Sequence, residues 1–274
     1  MKTYVISGAT SGIGRELAIE FSRANIVFAG YRDVKKLDDL KSISGNIIPF
    51  YIDMENCESI SAAADFILEN TQKVDTLINA AGCVIAGTIE NIDLKNIRKQ
   101  FEVNTFSHLQ FSQKLLDRLE GGKIINISSM ASFGIFPFVG PYCASKRALD
   151  ILFNAMVLEF NRDIKVVSIK PGVIATPLWE KSIALNKDSI EKCPQIYEPQ
   201  MKYLVENARK NGECGLDVKK VRDLIVKVDG MKKPKASYTI GKDAKLASFA
   251  SMLPQDFLNY LIRAGVKLKV KMNK

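Results

Sequence analysis

Short apolar runs of strand length alternate along this chain with longer stretches in which apolar residues recur every three or four positions. Thr3 to Ser7, Ile26 to Ala29, Asn46 to Ile52, Asp75 to Ile78 and Lys123 to Ser128 read as strands. Between them Ile13, Leu17, Ala18 and Phe21 share one helical face, a second helix begins near Cys57, and a long one runs from about Asn96 to Leu119. Strand and helix in strict alternation predict an α/β fold. No proline-rich or glycine/serine-rich linker, internal repeat or low-complexity run interrupts the pattern, so a single domain over residues 1–274 is expected.

The first strand runs directly into Ser7-Gly8-Ala9-Thr10-Ser11-Gly12-Ile13-Gly14 and then a helix. That order places free backbone N–H groups and a helix N-terminus at one spot, where Gly8, Thr10, Ser11, Gly12, Ile13 and Gly14 would hold a pyrophosphate. The expected sheet is therefore doubly wound and parallel, with ligands at the carboxyl ends of its strands. The second strand ends at Tyr31-Arg32-Asp33. An acid at this point accepts a ribose 2'-hydroxyl and an arginine suits a 2'-phosphate, so Arg32 favours NADP(H), with NAD(H) the outcome if Asp33 holds the position instead. After the third strand, Asp53-Met54 offers an acceptor for the adenine amine or a cap for the next helix. The fourth strand leads into Asn79-Ala80-Ala81-Gly82, whose small residues let the backbone pass close to a flat ligand. Asn104 sits inside an otherwise good helix, either solvated or with buried work to do. His108, the only histidine, lacks companions for a metal site and reads as a helix residue of the surface or core.

A net charge of +9 is concentrated at one end. From Lys227 onward there are 11 Lys/Arg against 3 Asp/Glu, while residues 1–226 hold 28 against 27. Nucleic-acid binding is not expected, because the basic residues are neither interleaved with aromatics nor part of a reading motif. Affinity for anionic surfaces is the narrower inference. Five cysteines, odd in number and without C-x-x-C spacing, read as reduced thiols with no metal site. The chain enters a strand immediately after Met1-Lys2 and has no long apolar span, so a cytoplasmic location is expected.

The most chemically loaded stretch is Asn126 to Lys146. Tyr142 and Lys146 are one helical turn apart behind Pro141, which suits a first helical turn. An ammonium beside a phenol favours the phenolate and would bring an acid/base of pKa about 10 toward the neutral range. Ser129 ends the fifth strand and supplies a hydroxyl to the same space.

In order, Ser-Gly-x-x-x-Gly-x-Gly, Asn-Ala-Ala-Gly, a helical Asn, a strand ending in Ser-Ser, Tyr-x-x-x-Lys and Lys170-Pro171-Gly172 make the chain similar to the short-chain dehydrogenase/reductases over roughly residues 1–180. The resemblance implies a Rossmann-type fold, a nicotinamide dinucleotide and hydride transfer between an alcohol and a ketone or aldehyde. It also implies a tetrad of Asn104, Ser129, Tyr142 and Lys146, with Ser129 preferred over Ser128 for lying thirteen residues before the tyrosine. Lys146 would also hold the nicotinamide ribose, Asn104 a water beside Lys146, and Pro171, Gly172 and Thr176 the nicotinamide end. Ser7 for threonine and Ala80 for asparagine are the two departures, neither of which removes a needed group.

Phe133 to Val139 is too apolar for a solvated loop, and Trp179 opens a segment expected to form a substrate lid over about residues 175–205. Together they favour an apolar substrate such as a steroid, retinoid or lipid-like alcohol or ketone. Two rivals are a reductase of a small polar carbonyl or acyl substrate and a non-catalytic dinucleotide-binding sensor or scaffold. The segment from Tyr238 to Pro254 resembles the retinol and 17β-hydroxysteroid dehydrogenase branch of the family. In an extension over about residues 243–274, Phe257, Leu258, Leu261 and Ile262 share a helical face. A basic amphipathic terminus of this kind admits weak contact with an anionic membrane surface. The resemblance further implies a homodimer or homotetramer.

Overall fold

The computed structural model describes residues 1–272, with side-chain surroundings given to residue 268. Seven parallel strands form one sheet: β1 (Thr3–Ser7), β2 (Ile26–Tyr31), β3 (Ile47–Tyr51), β4 (Thr76–Asn79), β5 (Lys123–Ile127), β6 (Lys165–Pro171) and β7 (Ser237–Ile240), in the spatial order β3-β2-β1-β4-β5-β6-β7. The helices are α1 (Gly12–Ser22), α2 (Leu37–Ile43), α3 (Cys57–Asn70), α4 (Leu94–Phe101), α5 (Ser107–Leu115), α6 (Gly140–Glu159), α7 (Leu178–Leu185), α8 (Lys187–Glu191), α9 (Glu198–Cys214), α10 (Val218–Asp229), α11 (Lys242–Ala250) and α12 (Gln255–Met272).

Because crossovers place helices on both faces, alternate residues of each strand bury in opposite directions. Val5, Phe28, Leu77 and Ile124 pack with Ile60 and Ile67 of α3, Phe111 of α5 and Phe153 of α6. Their neighbours Ile6, Val27, Ile78 and Ile125 pack with Leu17 and Phe21 of α1 and Val221 and Ile225 of α10. Each such side chain contributes about 1.5–3 kcal/mol by leaving water. Strand order reverses at β1, which pairs with β2 on one side and β4 on the other, so the loops after β1 and β4 diverge and open a crevice between them.

Element boundaries moved by a residue or two, and β2 continues to Tyr31, leaving Arg32 as the first residue past the strand. Two differences are larger. The predicted long helix is broken at Glu102–Phe106 by a π turn between α4 and α5. The segment expected to form a lid folds into α7 and α8 and runs on through α9 to Cys214, with an isolated bridge between Ile174 and Leu216 just beyond. The end of the basic C-terminal extension, from residue 269 onward, lies outside the described side chains.

Candidate active site

At the crevice, β1 ends in Ser7, whose hydroxyl accepts from the N–H groups of Ala80 (3.1 Å) and Ala81 (3.4 Å) and so ties the glycine turn to the loop after β4. This is the hydroxyl that the serine-for-threonine departure preserves. Gly8 and Gly12 take φ of +73° and +56°, in the left-handed region where glycine is unstrained. A side chain at Gly8 would meet the Ala81 backbone at 2.8 Å, and one at Gly14 would run into the Gly8 carbonyl. One at Gly12 would meet the Thr176 methyl at 3.5 Å, which brings the segment after β6 beside the turn. The turn is thus a backbone cradle at the N-terminus of α1, a helix with no acidic residue in its first turn, and its shape and polarity fit a dinucleotide pyrophosphate. Thr10 and Ser11 remain partly exposed along it, whereas Ile13 packs its side chain against the sheet.

Of the residues expected to touch cofactor, three turn their side chains elsewhere. Asn79 is fully buried and donates to Asn126 Oδ1 (2.8 Å) and Ser112 Oγ (3.1 Å), linking β4, β5 and α5 in the sheet interior. Met54 lies in the core beside Phe50 and Ile60. Ala80 packs against the β1 side of the core and offers the cleft only backbone. Asp53 does not cap α3, because Asn56 Oδ1 does so by accepting from Glu58 and Ser59 N–H. Its carboxylate instead accepts from Glu55 N–H (3.0 Å) and lies 3.7 Å from Arg32 Nη1. Arg32 is mainly held by Glu55 at 3.0 Å and remains 61% exposed just past the end of β2.

The four tetrad positions converge. Asn104, fully buried, accepts from Cys83 N–H (2.9 Å) and donates to Cys83 O (3.0 Å) and Ser145 Oγ (3.2 Å). It sits in the π turn, and π turns insert an extra residue that interrupts the regular i→i−4 ladder and concentrate at functional sites. Thr105, next in the turn, donates to Ser145 O (2.9 Å), which clamps the turn onto α6 one residue before Lys146. A Cβ on Gly82 would lie 3.4 Å from Asn104 Oδ1 and 3.7 Å from Lys146 Nζ, so both groups border the same glycine. Lys146 Nζ donates to Ile127 O at 2.8 Å and is 4% exposed.

Burial lowers the Lys146 ammonium to about 8, with Asp150 and Cys83 pulling the other way. Burial likewise pushes the Tyr142 phenol up to about 12. The opposing pull on the phenol comes from a hydrogen bond with the Ser129 hydroxyl, whereas the residue spacing points to the Lys146 ammonium. Desolvation outweighs a lysine whose amine is turned toward a strand carbonyl. Ser129 Oγ also accepts from Ala131 N–H at 3.1 Å, which fixes its direction at the start of a 3-10 turn.

Several supporting groups were not singled out from the sequence. Ser145 donates to Tyr142 O (2.8 Å) while accepting from Asn104. The buried pair Lys170–Asp150 (2.8 Å) joins β6 to α6 one turn beyond Lys146, and Lys170 Nζ lies 4.6 Å from the Phe133 ring centroid. His108 is fully buried and meets Ala81 O at 2.9 Å through Nε2, with burial holding its pKa near 3. It is a neutral prop behind the β4 loop, in keeping with the packed-residue reading. Trp179 is tied down on two sides: its indole donates to Ile174 O at 2.7 Å and lies against Gly212 of α9.

The sequence pattern of the short chain dehydrogenases matches residues 2–187. The NADPH-dependent 3-dehydrocapnine reductase of Ornithobacterium rhinotracheale is 28% identical over 97% of this chain and 98% of its own. The 7alpha-hydroxysteroid dehydrogenase of Escherichia coli K12 is 32% identical over 64% of this chain and 72% of its own. Among solved structures, a short-chain dehydrogenase from Streptomyces avermitilis superposes with a TM-score of 0.75 at 23% identity, covering 99% of this chain and 97% of that one, a likeness of fold. With the matched pattern spanning the glycine turn, the π-turn asparagine and the Tyr142–Lys146 helix, the chain belongs to the short chain dehydrogenase family, oxidoreductases of alcohol and ketone groups that bind NAD(P).

Proposed function

We propose that this enzyme uses NADP(H) to interconvert an alcohol and a ketone or aldehyde on an apolar substrate. The observation that carries the cofactor choice is Arg32, the first residue past β2, beside a strand end occupied by Tyr31 where a ribose-binding acid would stand. In this reading the glycine turn holds the pyrophosphate, Asp53 faces the adenine side, and Gly82, Lys146, Pro171, Gly172 and Thr176 surround the nicotinamide end. When bound, the nicotinamide would supply or accept the hydride. Tyr142 Oη gives a proton to the substrate oxygen during reduction and takes it back during oxidation. Ser129 donates a hydrogen bond to that oxygen as negative charge develops on it. Lys146 places a cation behind the phenol, and the Asn104 turn leads the proton toward solvent.

The apolar lean rests on the loop between Ser129 and Tyr142. Phe133, Phe136 and Phe138 are half-buried rather than core residues, and the Phe138 ring meets Tyr197 of the lid edge to face, with centroids 6.4 Å apart. Phe138 has φ of +66°, a strained conformation for a side-chain-bearing residue, and its carbonyl is pinned by Gly87 N–H at 2.8 Å. Such strain is consistent with an aromatic held at a mouth for a ligand.

NADPH and NADH titrations followed by cofactor fluorescence test the choice. NADPH binds more tightly, and Arg32→Ala loses about ten-fold for NADPH alone, the worth of one charge-assisted phosphate contact. Equal or tighter NADH binding would reverse the assignment.

Two surfaces extend the proposal to partners. Exposed Phe106, Ile151 and Leu158 near α5 and on α6 suit a second copy of this chain. Phe249, Met252, Phe257, Tyr260, Leu261 and Leu268 leave α11, α12 and their connection apolar among the basic residues of the C-terminal part, which suits an anionic lipid surface. No described helix is long and apolar enough to cross a membrane. Sedimentation velocity with and without phosphatidylserine vesicles reads both surfaces. A dimer or tetramer that co-sediments with vesicles in low salt is expected, and a monomer indifferent to them would contradict both.

A further inference from the structure

Ser11 occupies the N-cap position of α1, yet its side chain makes no capping bond. Its hydroxyl accepts from Lys181 Nζ at 3.0 Å instead, across 170 residues of sequence. Lys181 is carried by α7, the first lid helix, so the lid touches the glycine turn through one ammonium. Gly12 against Thr176, two residues before α7, shows the same approach from the backbone side. Around this point the charges are unevenly matched. Arg32 follows β2, which is hydrogen-bonded alongside β1, and Lys36 lies in the 3-10 turn just beyond it. Both act electrostatically on Lys181, whose amine falls below its ordinary value through partial burial first, then Lys36 and Arg32, with Asp33 opposing. Arg32 has Glu55, but among the described residues neither Lys36 nor Lys181 forms an ion pair.

A lysine on a hydroxyl that is not spent on its helix, within electrostatic reach of Arg32 and Lys36, makes a site for a doubly charged group. We infer that Lys181 completes the 2'-phosphate site from the lid, so that the cofactor's extra phosphate, and not the substrate alone, draws α7 down over the cleft. This rests on the NADP(H) reading above and adds to it a specificity-determining residue outside the glycine turn and the end of β2. A phosphate bridging Arg32 and Lys181 neutralises the repulsion between them and fixes the first turn of α7, which Trp179 also ties to Ile174 O. NAD(H), with a neutral 2'-hydroxyl, leaves the ammonium with Ser11 as its hydrogen-bond partner among the described residues.

Calorimetric titration with adenosine 2',5'-bisphosphate and with adenosine 5'-monophosphate tests this without turnover, on the full chain and on Lys181→Met, Lys181→Arg and Arg32→Ala. Lys181→Met is expected to weaken the bisphosphate about ten-fold and leave the monophosphate unchanged, with Lys181→Arg restoring most of the loss. NADPH should slow chymotryptic cleavage between α7 and α9 more than NADH does, and Lys181→Met should erase that difference. Bisphosphate binding that falls in Arg32→Ala but not in Lys181→Met would overturn the lid contribution alone. Bisphosphate binding unchanged in both would overturn the NADP(H) reading with it.

Discussion

Tyr142→Phe is expected to lower kcat by about 10³-fold while the affinity for NADPH stays within about two-fold of wild type, since general acid–base catalysis by a positioned group is worth about 10²–10⁴. The two halves of that expectation have different physical sources. The phenol oxygen is the group placed to exchange a proton with a substrate oxygen, with Ser129 beside it as the hydrogen-bond partner that opposes the upward push of burial. Removing the oxygen leaves the half-buried ring in the first turn of α6. The cofactor cradle does not depend on it, because Gly8, Gly12 and Gly14 are shaped by β1 and α1. Initial rates at saturating NADPH, together with a fluorescence titration, separate the two terms. A variant that loses NADPH affinity in proportion to rate would place Tyr142 in binding instead of proton transfer.

Gly14→Ala should do the converse and abolish cofactor binding. The added methyl would overlap the Gly8 carbonyl oxygen, which is backbone and cannot swing aside as a flexible side chain would. Relief requires moving α1 away from the turn or opening the turn itself. Either disturbs the contact of Gly8 with Ala81 and the Ser7 hydrogen bonds that set the width of the crevice. Overpacking of this kind costs about 1–3 kcal/mol of stability, small beside the effect on a ligand that needs several N–H groups aimed together. Thermal unfolding with and without NADPH measures both. The variant is expected to melt a few degrees lower and to gain nothing from NADPH, whereas wild type is raised by it. A variant stabilised by NADPH as strongly as wild type would show that the turn does not cradle the cofactor.

Most of the fold was legible because its strands are short and apolar and its turns are built from glycine at fixed offsets. The π turn shows where that legibility stops. Asn104 looked out of place in a helix, and the sequence could say only that it was either solvated or buried for a purpose. The answer depends on Cys83 and Ser145, which come from a loop and a helix that pattern alone does not bring together. Asn79 is a related case: it stands in a motif that reads as ligand-facing, while its side chain obeys the alternation of β4 and points into the sheet. Spacing places Tyr142 and Lys146 on the same helical face without saying that the amine would turn to Ile127 O. Lys181 carries no sequence signal at all; only the approach of the lid to Ser11 marks it.

Transfer of deuterium is the most direct test of the account. Wild type and Tyr142→Phe would be incubated with NADPH deuterated at C4 of the nicotinamide and a panel of steroid, retinoid and long-chain ketones, and the alcohols analysed by mass spectrometry. The account predicts one deuterium on the carbinol carbon of at least one apolar product with wild type, and a rate of labelling about 10³-fold lower with Tyr142→Phe. Labelled alcohol formed equally fast by both proteins, or alcohol formed without label, would contradict it.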